Sequence, residues 1–127
     1  MELIFKATKQ FEEGLRKRFN STEREKITQR INKYCQLLLT DRAAFFRRVN
    51  QPTAIKLRDG LESSLYILRI DNKTRVILSV DDDPIFDQVI ITLMAIYEHD
   101  GSSKVFDSIA KSLYRDQLVK AKAQKKV

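Results

Sequence analysis

Three short runs of β-branched, aromatic and leucine residues between Leu65 and Tyr97 constrain this chain more than any other feature. They read Leu65–Asp71, Thr74–Val80 and Gln88–Tyr97, separated by Asn72-Lys73 and by the acidic segment Asp81-Asp82-Asp83-Pro84. Runs of this length, bounded by Asn, Asp, Gly and Pro, signal strands. They form a meander whose last member is apolar on both faces, as expected of a strand deep inside a sheet.

Alternation within the runs sets a register. Tyr66, Leu68 and Ile70 share one face of the first strand, and Val76, Leu78 and Val80 share one face of the second. For both sets to cover the same core, the hairpin needs a three-residue loop, Asp71-Asn72-Lys73, with Ile70 facing Thr74. A two-residue turn at Asn72-Lys73 is excluded. Arg69 then lies opposite Arg75 on the face away from that core. Two like charges so placed cost up to about 1 kcal/mol unless an anion lies between them, which reads as a phosphate-binding site. The competing reading has one arginine neutralise Asp71 or Asp59 at the surface.

Other cations sit nearby in the sequence. Lys56 and Arg58 alternate with Ile55 and Leu57 in a strand candidate, Ala54–Arg58, closed by the turn dipeptide Asp59-Gly60. They either extend a cationic patch or guard a strand edge with charge. His99 is the only histidine, and it stands where the last strand gives way to a loop. That place suits proton transfer and equally suits a capping or solvated side chain. Tyr97 is a further acid–base candidate, or else a half-buried core aromatic.

Around the meander the pattern is helical. Glu2–Ala7 reads as a short first strand, followed by Thr8 as N-cap of a helix through about Phe19, with Phe11, Leu15 and Phe19 on one face. Thr22 and Glu25 have the form of a capping box opening a second helix that runs to about Leu39, with Ile27, Ile31, Tyr34, Cys35 and Leu38 as its apolar stripe. The two helices should form an antiparallel hairpin whose outer faces, with Arg16, Lys17, Arg24, Lys26, Arg30 and Lys33 among glutamates, read as solvated surface. Asp41–Thr53 is a connection with a short helix before Pro52. After Gly101, Ser102 or Ser103 caps a last helix bearing Phe106, Ile109, Ala110, Leu113 and Leu118, which ends in the basic tail Lys120–Val127. Residues 1–127 thus form a single domain of α+β class: a helical hairpin on a small twisted, mainly antiparallel four- to five-stranded sheet, plus a C-terminal helix. From about residue 113 to 127 this helix continues as a basic extension.

Charge narrows the partners. With 24 Lys+Arg against 17 Asp+Glu, the net charge is +7 and the pI about 9.6, which favours nucleic acid, an anionic membrane or an acidic protein. No apolar run approaches the roughly 20 residues of a spanning helix, and the start lacks the character of a signal peptide. The default is a cytoplasmic protein. Cys35 has no second cysteine to pair with, its spacing with Ile31 and Leu38 reads as a buried thiol, and one Cys with one His gives poor support for a metal site.

Taken together, the order strand, helical hairpin, then "KLRDG…YILRIDNKTRVILSVDDD…ITLMAIYEHD" resembles the RelE/ParE toxin superfamily of bacterial toxin–antitoxin systems, especially its ribonuclease members. The likeness covers about Leu3 to Ile109. It implies an endoribonuclease that cuts mRNA, on the ribosome, by metal-independent attack of a 2′-hydroxyl on the adjacent phosphate. No cofactor is implied. The partners implied are a cognate antitoxin protein, mRNA and the ribosome, with no membrane, and the oligomeric state is left open. By the same resemblance Arg75 and Arg69 would bind phosphate in the catalytic centre, His99 would act as general acid or base, and Lys56 and Arg58 would hold the RNA backbone. Phe106 stands where many ribonuclease members have a catalytic tyrosine, and acidic Glu98 and Asp100 flank His99. A ParE-like inhibitor of a topoisomerase, and a non-catalytic RNA-binding or adaptor relative, are the alternatives.

Overall fold

The computed structural model describes residues 1–51, 63–98 and 102–114, the side chains of Ser102 and Ser103 excepted. In chain order they form β1 (Glu2–Ala7), α1 (Lys9–Arg18), α2 (Ser21–Thr40), α3 (Arg42–Arg48), β2 (Val49–Asn50), β3 (Leu65–Arg69), β4 (Thr74–Asp83), β5 (Gln88–Glu98) and α4 (Ser102–Leu113). The strands make one sheet in the order β1-β5-β4-β3-β2. β1 runs parallel to β5, and every other neighbouring pair is antiparallel. The α+β class with a mainly antiparallel sheet and a C-terminal helix is therefore the observed fold, and the doubly apolar β5 lies inside the sheet, between β1 and β4.

Local chemistry accounts for the helix ends. The Thr8 hydroxyl accepts from Phe11 N at 3.1 Å and donates to Met94 O at 2.7 Å, so one side chain both caps α1 and ties it to β5. Gly14 lets the helix lie close on that strand, since a Cβ there would sit 3.2 Å from Ile96 Cγ2 and 3.3 Å from Ile96 O. The capping box of α2 is not Thr22 with Glu25. It is Asn20 with Glu23: Asn20 Oδ1 accepts from Glu23 N at 2.8 Å, and Glu23 Oε1 accepts from Asn20 N at 3.0 Å. With α1 ending at Arg18, the chain turns at Phe19-Asn20, and the first residue able to cap takes the position. Asp41 then ends α2 and caps α3, its Oδ1 accepting from Ala44 N at 3.1 Å.

Two strand boundaries differ from those read from the sequence. A two-residue strand, β2, follows α3 and pairs Val49 with Leu68 and Asn50 with Ile67, where only a connection was expected. β4 continues past Val80, because Asp81, Asp82 and Asp83 remain in register with Ile90, Val89 and Gln88. The acidic residues are thus strand rather than turn, and the reversal falls at residues 84–87, with Asp87 at φ 53°. The strand candidate Ala54–Arg58 and the basic tail from residue 115 lie outside the described residues.

Both sheet faces are covered by apolar side chains. On one, α1, α2 and α3 bury Phe11, Ile27, Ile31, Cys35, Leu38 and Phe45 against Leu68, Val76, Leu78, Val89, Ile91 and Ile96. On the other, Phe106, Ala110 and Tyr114 pack on Leu65, Ile67, Ile77, Ala95 and Tyr97. The second cluster corrects the expectation that the arginine-bearing face is free of core. It also explains Phe106, which is fully buried and serves as the anchor of α4. Burying two apolar layers with one sheet is how a chain of this length reaches a sizeable core.

Candidate nucleic-acid interface

The β3–β4 hairpin has the three-residue loop required by alternation. Ile70 N donates to Thr74 O at 3.0 Å, and Arg69 is paired with Arg75 directly across the strands. Asp71 shapes the loop: its Oδ1 accepts from Lys73 N and from Thr74 N, both at 2.8 Å. Partial burial of this carboxyl opposes ionisation, but the hydrogen bonds from Thr74 and Lys73, with Arg30 nearby, outweigh it and hold the pKa below the ordinary value.

Each arginine turns toward this loop. Arg75 Nη1 donates to Asp71 O at 2.6 Å and to Thr74 O at 3.2 Å, and Arg69 Nη2 donates to Asn72 Oδ1 at 2.6 Å. Neither reaches the Asp71 carboxylate, which lies 3.6 Å from Arg30 Nη1 instead. Arg75 is half-buried and Arg69 exposed, so the cost of opposing two guanidinium groups is met by backbone and amide oxygens at the hairpin end. The result is a pair of oriented cations whose forks are held at one edge by the loop.

Tyr97 joins them. It is paired with Arg75 across β4–β5, which puts Arg69, Arg75 and Tyr97 in one row on the sheet face that carries α4. A β-bulge makes this so. Toward the other end of the pair, Ser79 faces Thr92 and Leu78 faces Leu93, whereas beyond the irregularity Ile77 faces Ala95, with Met94 as the extra residue. Unbroken, the ladder would have set Ile96 opposite Arg75. Tyr97 is 3% exposed and belongs to the second apolar cluster. Of the other residues singled out from the sequence, Lys56, Arg58 and His99 lie outside the described residues; His99 directly follows the end of β5 at Glu98.

Folding also brings together charges of both signs that lie far apart in the sequence. A groove of about 620 Å³ lies between the α1–α2 junction and the hairpin loop, lined by Arg18, Lys26, Arg30 and Lys73, by Glu23, Asp71 and Glu98, and by Phe19 and Ile27. Lys26 and Arg30 are one helical turn apart, a spacing that signals a basic stripe but that a solvated helix shares. Only folding shows that the stripe meets the tip carrying Lys73. Among the described residues no set of three or more His, Cys, Asp or Glu side chains could hold a metal ion, and no helix is long and apolar enough to cross a membrane.

No protein-family model, no curated protein and no solved structure matches the chain.

Proposed function

We propose that this protein is a RelE-type endoribonuclease that cuts mRNA, on the ribosome, by attack of a 2′-hydroxyl on the neighbouring phosphate without a metal. One observation carries the reading: the row Arg69–Arg75–Tyr97, set on a rigid hairpin and on the strand that leads directly into His99. Such a reaction needs a cation on the crowded phosphate, a base for the attacking hydroxyl and an acid for the leaving oxygen. Arg75 would bind the scissile phosphate through Nε and Nη2, since Nη1 is engaged by the loop carbonyls. Arg69 would take an adjacent phosphate. The burial of Tyr97 makes His99 the better candidate for proton transfer. Lys56 and Arg58 would hold flanking backbone, and the acidic partner would be a cognate antitoxin. The place of work would be the cytoplasm.

The test is mRNA cleavage in a translating extract with the purified chain. Arg75→Ala should reduce cleavage about 100-fold or more, and Arg75→Ala with His99→Ala should abolish it. Full cleavage by the double variant would sink the reading.

A second reading is favoured by the bonds that tie both arginines to their own loop. Cations so held suit binding, and a non-catalytic RNA-binding relative would retain RNA with strong salt dependence while leaving it intact. Cleavage and filter binding measured on the same preparation separate the two.

A further inference from the structure

We propose that two copies of this chain associate through their β1 strands, antiparallel, joining two five-stranded sheets into one. β1 is an outer strand of the sheet. Glu2 N donates to Asp87 O at 3.2 Å and Thr8 N to Leu93 O at 3.0 Å, so in this parallel pair the even-numbered residues direct their backbone groups at β5. The N–H and C=O groups of Leu3, Phe5 and Ala7 therefore point off the open edge, and among the described residues no strand takes them up. Glu2–Ala7 has neither a proline nor a bulge, two of the devices that blunt such an edge, and its charges, Glu2 and Lys6, are of opposite sign and so can pair across a seam rather than repel a second copy.

The strand's own sequence selects a second copy as the occupant. Glu2 and Lys6 stand two residues either side of Ile4, and both are exposed on the same face. Antiparallel pairing centred on Ile4 sets Glu2 against Lys6 of the partner subunit, and Lys6 against Glu2 of the partner subunit. Leu3 faces Phe5 of the partner subunit in the hydrogen-bonded positions. A shift of one residue opposes outward-facing groups to inward-facing ones, and a shift of two loses both charge pairs, so one register alone satisfies backbone and charge together.

Exposed apolar surface lies along the same edge. Phe5, 39% exposed, would be covered by Leu3 of the partner subunit, while Ile85 and Phe86, at 84% and 73%, occupy the turn that the Glu2–Asp87 bond holds at the end of β1. β1 and the β3–β4 hairpin stand on opposite sides of β5 in the sheet order, so the pairing adds no cover to Arg69 or Arg75 of either copy and stands independently of the ribonuclease reading.

Sedimentation velocity on the full chain over a range of concentrations tests the proposal, with circular dichroism on each variant as the check on folding. The wild type should dimerise. Glu2→Lys or Lys6→Glu alone should weaken the dimer about tenfold, and the two together should restore it, because each cross-strand pair is then opposite in sign again. Phe5→Pro, which removes an outward-facing N–H only, should leave the chain monomeric. A wild type that stays monomeric, which would leave the edge to a strand of another protein, overturns the proposal. So does a dimer indifferent to the single charge reversals, or one that the double reversal fails to recover.

Discussion

Tyr97 stands directly across the β4–β5 pair from Arg75 because Met94 is inserted as a bulge between Leu93 and Ala95. The insertion exchanges the sides of every residue beyond it, sending Ile96 to the helix-covered core and Tyr97 to the face with the arginines. Deleting Met94 should therefore close the ladder with Ala95 still opposite Ile77, Ile96 opposite Val76 and Tyr97 opposite Arg75, so that both buried side chains keep their faces. We expect the deletion variant to fold and to lose less than about 3 kcal/mol in urea unfolding, and failure to fold would contradict this register. Replacing Met94 by leucine, which keeps the bulge, should cost less than about 1.5 kcal/mol.

Asp71 organises the hairpin that carries both arginines, and Asp71→Ala should destabilise the chain by about 1 kcal/mol, as loss of a capping side chain does. Its native pKa lies below the unfolded value of 3.8, so its contribution is fully present above pH 3.8 and fades as the pH falls through the lower native pKa. Wild type and variant should differ in chemical stability at pH 6 and converge on acidification below 3.8. A constant difference across that range would show that the carboxylate is not the active group.

Tyr114 fastens α4 to the start of β3. Ser64 N donates to its hydroxyl at 2.9 Å, and the hydroxyls of Ser63 and Ser64 lie at 3.4 and 3.1 Å. Tyr114→Phe should leave the Ser64 N–H without this acceptor at a cost of about 1–2 kcal/mol. Hydrogen exchange should then speed up in α4 before it does in β4 and β5.

Cys35 is buried, and burial pushes its thiol up to about 12. At pH 8 the native protein should resist a thiol reagent, and modification should follow unfolding, rising by about 100-fold or more in denaturing urea. Rapid labelling of the folded chain would contradict this placement. Cys35→Ser should cost about 1–3 kcal/mol, because a hydroxyl brings a stronger desolvation penalty to the same apolar site.

How far the sequence carries can be judged at the hairpin. Parity alone placed Arg69 against Arg75 and chose the three-residue loop, since a strand has two faces and a slip of one residue would bury charge. Where the guanidinium groups go was not legible, because Asp71 O, Thr74 O and Asn72 Oδ1 become acceptors only when the loop closes. The α2 cap was misplaced by two residues for a similar reason: Asn20/Glu23 and Thr22/Glu25 satisfy the same local pattern, and the exit of α1 decides between them.

By itself, then, the sequence determined what repeats: the strand faces of the meander, the apolar stripe of α2 with Cys35 inside it, the Thr8 cap, and the cross-strand arginines. These are consequences of periods of 2 and 3.6 residues, which act within a few residues of chain. The tertiary structure alone decided the bulge at Met94, the covering of the arginine face by α4, the meeting of Arg18, Lys26 and Arg30 with Lys73, and the open edge at β1. Each of these depends on which distant segment lies alongside, and no local period encodes that.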